Sequence, residues 1–221
     1  ASDVYKRQLI TIAIFGMWYY ARYEGNFLPS PKKTFNPMMI VAIVILVPGT
    51  QFAANFIANL TGYIRPDWLQ QYNELFETSG ITDTTFVTVL YSVILAPICE
   101  ELIFRGVTMR CARKALPFAL ANLMQAALFG LFHLNWIQGI YAFALGIVLG
   151  YVCERGGSIY YSMGLHLLFN LWGTLSGFFP DPGNSVVVFV VVIVVTIVSL
   201  VAGFVLFNKG RRKLPINSTG I

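Results

Sequence analysis

Charged side chains are scarce in this chain. Of its 221 residues, 11% are Asp, Glu, Lys or Arg, against about 25% in an average soluble domain. A chain that is also 57% hydrophobic, with a mean hydropathy of +0.68, has too little polar surface to cover a water-soluble fold, so the composition excludes one. The net charge of +5 then concerns topology and anionic lipid headgroups, and no nucleic-acid partner is expected. Cysteine is limited to Cys99, Cys111 and Cys153, without a Cys-x-x-Cys pair. That excludes a disulfide framework and a cysteine-rich zinc site, and leaves small apolar filler as their reading. Histidine occurs twice, and no His-Glu-x-x-His is present. Internal repeats and a separate soluble domain are also missing.

What the chain does have is long apolar runs. The expected fold class is all-α, a polytopic transmembrane helix bundle with about seven spans present. Residues 1–8 stand apart, because Asp3-Val4-Tyr5-Lys6-Arg7-Gln8 back-translates to the end of a transposon-based sequencing adapter. They read as a non-native scar. Residues 9–207 then form the membrane domain, with a first helix at Leu9 to Tyr20 that is truncated. An intact protein would have eight spans. Further spans are expected over Pro37–Leu60 (kinked at Pro48-Gly49), Thr84–Cys111, Pro117–His133, Trp136–Cys153, Ser158–Phe178 and Ser185–Phe207. Between the second and third, Trp68, Leu69, Tyr72, Leu75 and Phe76 recur at helical spacing and suggest a helix in the membrane interface. Residues 208–221 form a basic tail. With that tail inside, the inner loops hold eleven basic residues and the outer loops only Arg65. This is the positive-inside pattern. The expected location is integral and multi-pass, in a bacterial plasma membrane, with the C-terminal tail cytosolic and the lipid bilayer as first partner.

Against this background the stretch Ala96-Pro97-Ile98-Cys99-Glu100-Glu101-Leu102-Ile103-Phe104-Arg105-Gly106 stands out. One charge at the centre of a membrane helix costs about 2.5–3.5 kcal/mol on insertion scales, and such residues are functional by default. Glu101 and Arg105, four apart, share a face and are expected to pair. Glu100 lies about 100° round the helix, free for another task. The two histidines fall in other spans. His133 closes Phe129-Gly130-Leu131-Phe132-His133, while His166 and Asn170 are four apart on one helix. The economical explanation for five polar groups on three otherwise apolar helices is that they meet. A carboxylate beside an imidazole activates water, and an imidazole with an Asn amide offers donors to an oxyanion.

Three motifs in this order, Glu-Glu-x-x-x-Arg (Glu100, Glu101, Arg105), Phe-x-x-x-His (Phe129, His133) and His-x-x-x-Asn (His166, Asn170), resemble those of the CAAX protease and bacteriocin-processing family of intramembrane endopeptidases. Phe104 and Gly106 fit the family's Phe-Arg-Gly wording. The resemblance covers residues 84–174, the motif core.

The resemblance implies peptide-bond hydrolysis at the membrane on a peptide or lipidated-peptide substrate. Glu100 and His133 would activate the water, His166 and Asn170 would stabilise the oxyanion, and Glu101 and Arg105 would brace the first motif helix. The site is expected to open toward the cytosolic half. No cofactor is favoured. Zinc stays open, since Glu100, His133 and His166 supply three ligands and a catalytic zinc needs three plus water. The family has historically been classed with metalloproteases. The competing reading is a catalytically silent membrane protein for bacteriocin immunity or modulation of a membrane sensor partner. A proton-relaying transporter is a third, against which the missing repeat argues. Counting 1.5 Å per residue puts His133 too far outward for the site unless its helix enters the membrane near Ala121.

Overall fold

Apolar residues at helical period, broken by Pro, Gly and Asn, produce helices throughout. The computed structural model describes residues 10–19, 35–78, 86–176 and 185–211. Every regular element among these residues is helical: α1 (Ile10–Tyr19), α2 (Pro37–Ile64), α3 (Pro66–Thr78), α4 (Phe86–Arg113), α5 (Phe118–Phe132), α6 (Trp136–Gly156), α7 (Ile159–Ser176) and α8 (Val186–Gly210). Helices α2, α4, α6 and α8 are long and apolar enough to cross a membrane. α7 has 18 residues, with His166 and Asn170 among them. α5, with 15 residues, rises about 22 Å and falls short of a hydrocarbon layer of ~30 Å. The proposed adapter scar and residues 20–34, 79–85, 177–184 and 212–221 lie outside the described residues.

Caps follow the sequence. Asn36 and Asn135 accept backbone N–H bonds at the starts of α2 and α6, and Gly157, at φ 66°, ends α6 in the left-handed conformation that glycine adopts freely. The Pro48-Gly49 break has a specific repair. The Gly49 N–H donates to Ser199 Oγ of α8 at 2.9 Å, and that hydroxyl donates to the Ile45 carbonyl. One serine thus closes the gap in the α2 ladder and pins α8 to α2. The opposite face of α8 presents Val187, Val191, Val194 and Val198 outward, which suits a lipid-facing span.

Several boundaries differ from expectation, among them the ends of α6 at Gly156 and α8 at Gly210, each three residues beyond the expected stop. α2 runs on to Ile64, a turn beyond Leu60. α5 begins at Phe118 after the N-cap Pro117, and Ala121 on its first turn is fully buried in the bundle. α3 is amphipathic as expected, but part of its apolar face packs on protein. Leu69 sits against Gly62 of α2, and Trp68 stacks on Trp136 of α6 at 5.3 Å between ring centroids. Between α5 and α6 the backbones approach closely. A Cβ on Gly150 would lie 1.9 Å from Asn122 Oδ1, so only glycine fits there.

Candidate active site

The first motif sits on a helix with unusual winding. α4 is π-helical over Leu90–Leu95 and Leu102–Met109, flanking the α-helical turn Ala96–Glu101. Wide turns of this kind occur often at functional sites. Pro97 supplies a local cause. It has no N–H, so the Ser92 carbonyl, five residues earlier, loses its π-helical donor. Asn170 of α7 fills the place, donating from Nδ2 to the Ser92 carbonyl at 2.8 Å.

Glu101 and Arg105 pair as expected, with Arg105 Nη1 donating to Glu101 Oε1 at 2.8 Å and both side chains fully buried. The same carboxylate oxygen receives His166 at 3.0 Å from Nδ1. A carboxylate held by a guanidinium only accepts, so His166 Nδ1 carries a proton and Nε2 is the nitrogen left for chemistry. His166 Nε2 stands 3.6 Å from Glu100 Oε2, and the Glu100 side chain keeps 14% exposure. Glu100, Glu101, Arg105 and His166 are therefore brought together. Phe129 braces them: its ring packs edge-on to His166 at 5.7 Å, and the Arg105 guanidinium lies 4.5 Å from its centroid.

His133 is held differently. It caps the C-terminal end of α5, and its Nδ1–H donates to the Phe129 carbonyl at 2.8 Å. It makes no ion-pair or hydrogen-bond contact with Glu100 within 4.0 Å. As in His166, Nε2 is the free nitrogen. Among the described residues no group of three or more His, Cys, Asp or Glu side chains is placed to hold a metal ion.

Sequence reasoning missed two residues behind the ion pair. Gln125 of α5 is fully buried and donates from Nε2 to Asn122 Oδ1 at 2.7 Å and to the Gly146 carbonyl at 2.8 Å. Arg105 Nη2 reaches that same carbonyl at 3.4 Å. A Gln and an Asn three apart on an otherwise apolar helix were the available signal. Tyr141 of α6 also packs against Phe104 and Phe129 and bonds to Tyr72 of α3.

The cluster is not placed evenly along the bundle. Toward the basic ends of the helices it is sealed by Met109, Ala112, Ala121, Cys153 and Ile159. His133, Asn170 and Tyr141, the members off centre, lie on the side of α3 and the 133–136 turn.

Residues 82–172 match the family described as type II CAAX prenyl endopeptidase Rce1-like. The match takes in all three motifs and bears out the resemblance to the CAAX protease and bacteriocin-processing family. The chain shows no significant match among curated proteins or among solved structures.

Proposed function

We propose that this protein is an intramembrane endopeptidase that hydrolyses a peptide bond in a membrane-associated or lipid-modified peptide, using water activated by Glu100. The observation that carries the reading is the convergence of Glu100, Glu101, Arg105 and His166 inside an otherwise apolar bundle, on the segment that matches the CAAX protease family. Glu101 has its charge matched by Arg105 and is not the base; it fixes the His166 ring. Glu100 has no such partner and is the one partly exposed carboxylate of the pair.

The chemistry follows in balanced steps. Glu100 takes a proton from water as the water oxygen bonds to the peptide carbonyl carbon, and the carbonyl π pair moves onto oxygen. That oxyanion accepts a hydrogen bond from His166 Nε2–H. Asn170, whose amide has one further N–H beyond that given to Ser92, is a second donor. Collapse re-forms the carbonyl and breaks the C–N bond while Glu100 returns its proton to the leaving nitrogen. For His166 to donate from Nε2 while Nδ1–H stays on Glu101, its ring is protonated. Two carboxylates, one guanidinium and one imidazolium then make a neutral cluster, the least costly charge state for a buried group. His133 Nε2 assists by holding the water from the end of α5.

One observation favours a catalytically silent role in immunity or sensor modulation. His133 and Asn170 each spend a polar group on a backbone carbonyl, of Phe129 on its own helix and of Ser92 on α4, as packing residues do. Glu100→Gln separates the readings. In an endopeptidase, peptide cleavage by the purified protein falls by about 10²–10⁴-fold with membrane insertion intact. If the Gln variant keeps full biological function, the silent reading stands instead.

A further inference from the structure

A groove of about 500 Å³ runs between α5, α6 and α8 near their basic ends. Its walls are Phe118, Ala119 and Leu123 from α5, Ile147 and Val148 from α6, and Phe204 from α8. The floor is fixed by Tyr151, whose hydroxyl donates to Asn208 Oδ1 at 2.8 Å and whose ring meets Phe204 edge-on at 5.4 Å. It is thus a largely apolar slot, with Asn122 its one amide side chain, between three helices.

The mouth of the slot carries a cation. The Arg155 guanidinium lies 6.0 Å from the Phe118 ring and 5.8 Å from the Tyr151 ring, both of which line the slot. Arg155 is exposed. The carboxylate beside it in sequence, Glu154, is engaged by Arg113 at 3.1 Å, and among the described residues no other carboxylate lies at this end of the bundle. Arg155 is therefore a charge at headgroup depth with no protein counter-ion among the described residues, directly above an apolar slot. Aliphatic length below and one negative charge above is the chemistry of a phospholipid, and basic pockets between membrane helices are known to hold anionic headgroups.

We propose that this groove is a binding site for one anionic phospholipid, with an acyl chain along α5, α6 and α8 and the phosphate on Arg155. The guanidinium fork accommodates two phosphate oxygens at once. The site stands whether or not the protein cleaves peptides, because neither Arg155 nor any residue lining the groove, Asn122 included, is one of Glu100, Glu101, Arg105, His133, His166 and Asn170.

The experiment uses the full-length protein reconstituted in vesicles of phosphatidylethanolamine and phosphatidylglycerol, 3:1, then released for native mass spectrometry and lipid counting. The expected result is one phosphatidylglycerol retained per chain, above its share of the vesicle. Arg155→Ala lowers that preference about five-fold, the equivalent of the ~1 kcal/mol that one basic residue contributes near an anionic surface. Arg155→Lys retains most of it, which guards against a folding artefact. Ala119→Trp, at an exposed groove position, fills the slot and removes retention of both lipids. Lys209→Ala, which removes another exposed cation at the same end, changes nothing. Equal retention of the two lipids by the unaltered protein overturns the proposal, as does an unchanged preference in Arg155→Ala. A loss in Lys209→Ala as large as in Arg155→Ala overturns it too, since the attraction would then belong to the whole basic surface.

Discussion

Glu101→Gln is the substitution whose consequence the structure determines most sharply. It keeps the shape of the side chain and removes the only counter-charge that Arg105 touches, at a place where both residues are fully buried. Removing one partner of a buried pair costs about 3–5 kcal/mol, because the remaining charge stays uncompensated in a low-dielectric interior. At about 2–4 °C per kcal/mol for a chain of this size, the apparent melting temperature of the purified protein should fall by roughly 6–20 °C. Arg105→Ala should fall by a similar amount, and Glu101→Gln with Arg105→Ala by clearly less than the sum, since the two act on one coupled interaction. A more informative double variant replaces the pair by apolar residues of like size, Glu101→Leu with Arg105→Met. Buried pairs exchanged in this way are often neutral or gain 1–4 kcal/mol, so stability should return. Activity should not, because His166 Nδ1 loses the carboxylate that orients it. Thermal unfolding followed by tryptophan fluorescence, with cleavage assayed on the same preparations, reads both effects. A Glu101→Gln protein that melts within about 1 °C of the original would refute the reasoning, as the pair would then be solvated through a path absent from this packing.

Asn170→Ala should leave the Ser92 carbonyl without a donor and cost about 1–3 kcal/mol. Adding Pro97→Ala restores a backbone N–H in α4 and should recover part of that loss in the same melting assay. Ser199→Ala orphans both the Gly49 N–H and the Ile45 carbonyl, so a loss of about 1–3 kcal/mol is expected, with hydrogen exchange rising in the Pro48-Gly49 turn while activity per folded molecule holds.

The helices and their order were legible because a membrane span has to be long, apolar and uncharged. The exceptions to that rule, Glu100, Glu101, Arg105, His133, His166 and Asn170, marked the site for the same reason. Pairing of Glu101 with Arg105 followed from helical spacing alone. Less was readable where one helix answers another. Nothing local to Asn170 says that it donates to Ser92; that follows from a proline on α4 and from the π-helical turns around it. Gln125 looked like a tolerated polar residue until α6 brought the Gly146 carbonyl against it. The position of His133 depended on where α5 stops, and a 15-residue helix is hard to place from hydropathy because it neither fits a full span nor breaks one. The apolar packing beside the polar cluster was unreadable for a related reason. The seal is built from Met109, Ala112, Ala121, Cys153 and Ile159, residues from four helices that only the packed bundle aligns.

Two observations together predict the side from which water and substrate would arrive, and the prediction can be measured without any cleavage assay. Basic residues gather at one end of the bundle, at Arg110, Arg113, Lys114, Arg155, Lys209 and Arg211, which the positive-inside rule places in the cytosol. The apolar seal lies between that end and the polar cluster, while His133 and Asn170 lie toward the other. Hydrolysis needs water, and polar surface at membrane depth is tolerated only around a wet cavity, so the approach to Glu100 should run from the non-cytosolic side, past α3 and the 133–136 turn. The chain carries its own reporter for the basic end, since Cys111 is exposed while Cys99 and Cys153 are buried. Asn73, exposed on α3, serves for the other end as Asn73→Cys in a Cys111→Ser background. A membrane-impermeant maleimide added to intact cells should label Asn73→Cys and leave Cys111 of the unaltered protein unreacted until the membrane is opened. The substrate would then present its scissile bond from the outer face, which disfavours peptides lipidated and retained in the cytosol. Labelling of Cys111 from outside, with Asn73→Cys protected, would invert the bundle and return the site to the cytosolic face with its internal geometry unchanged.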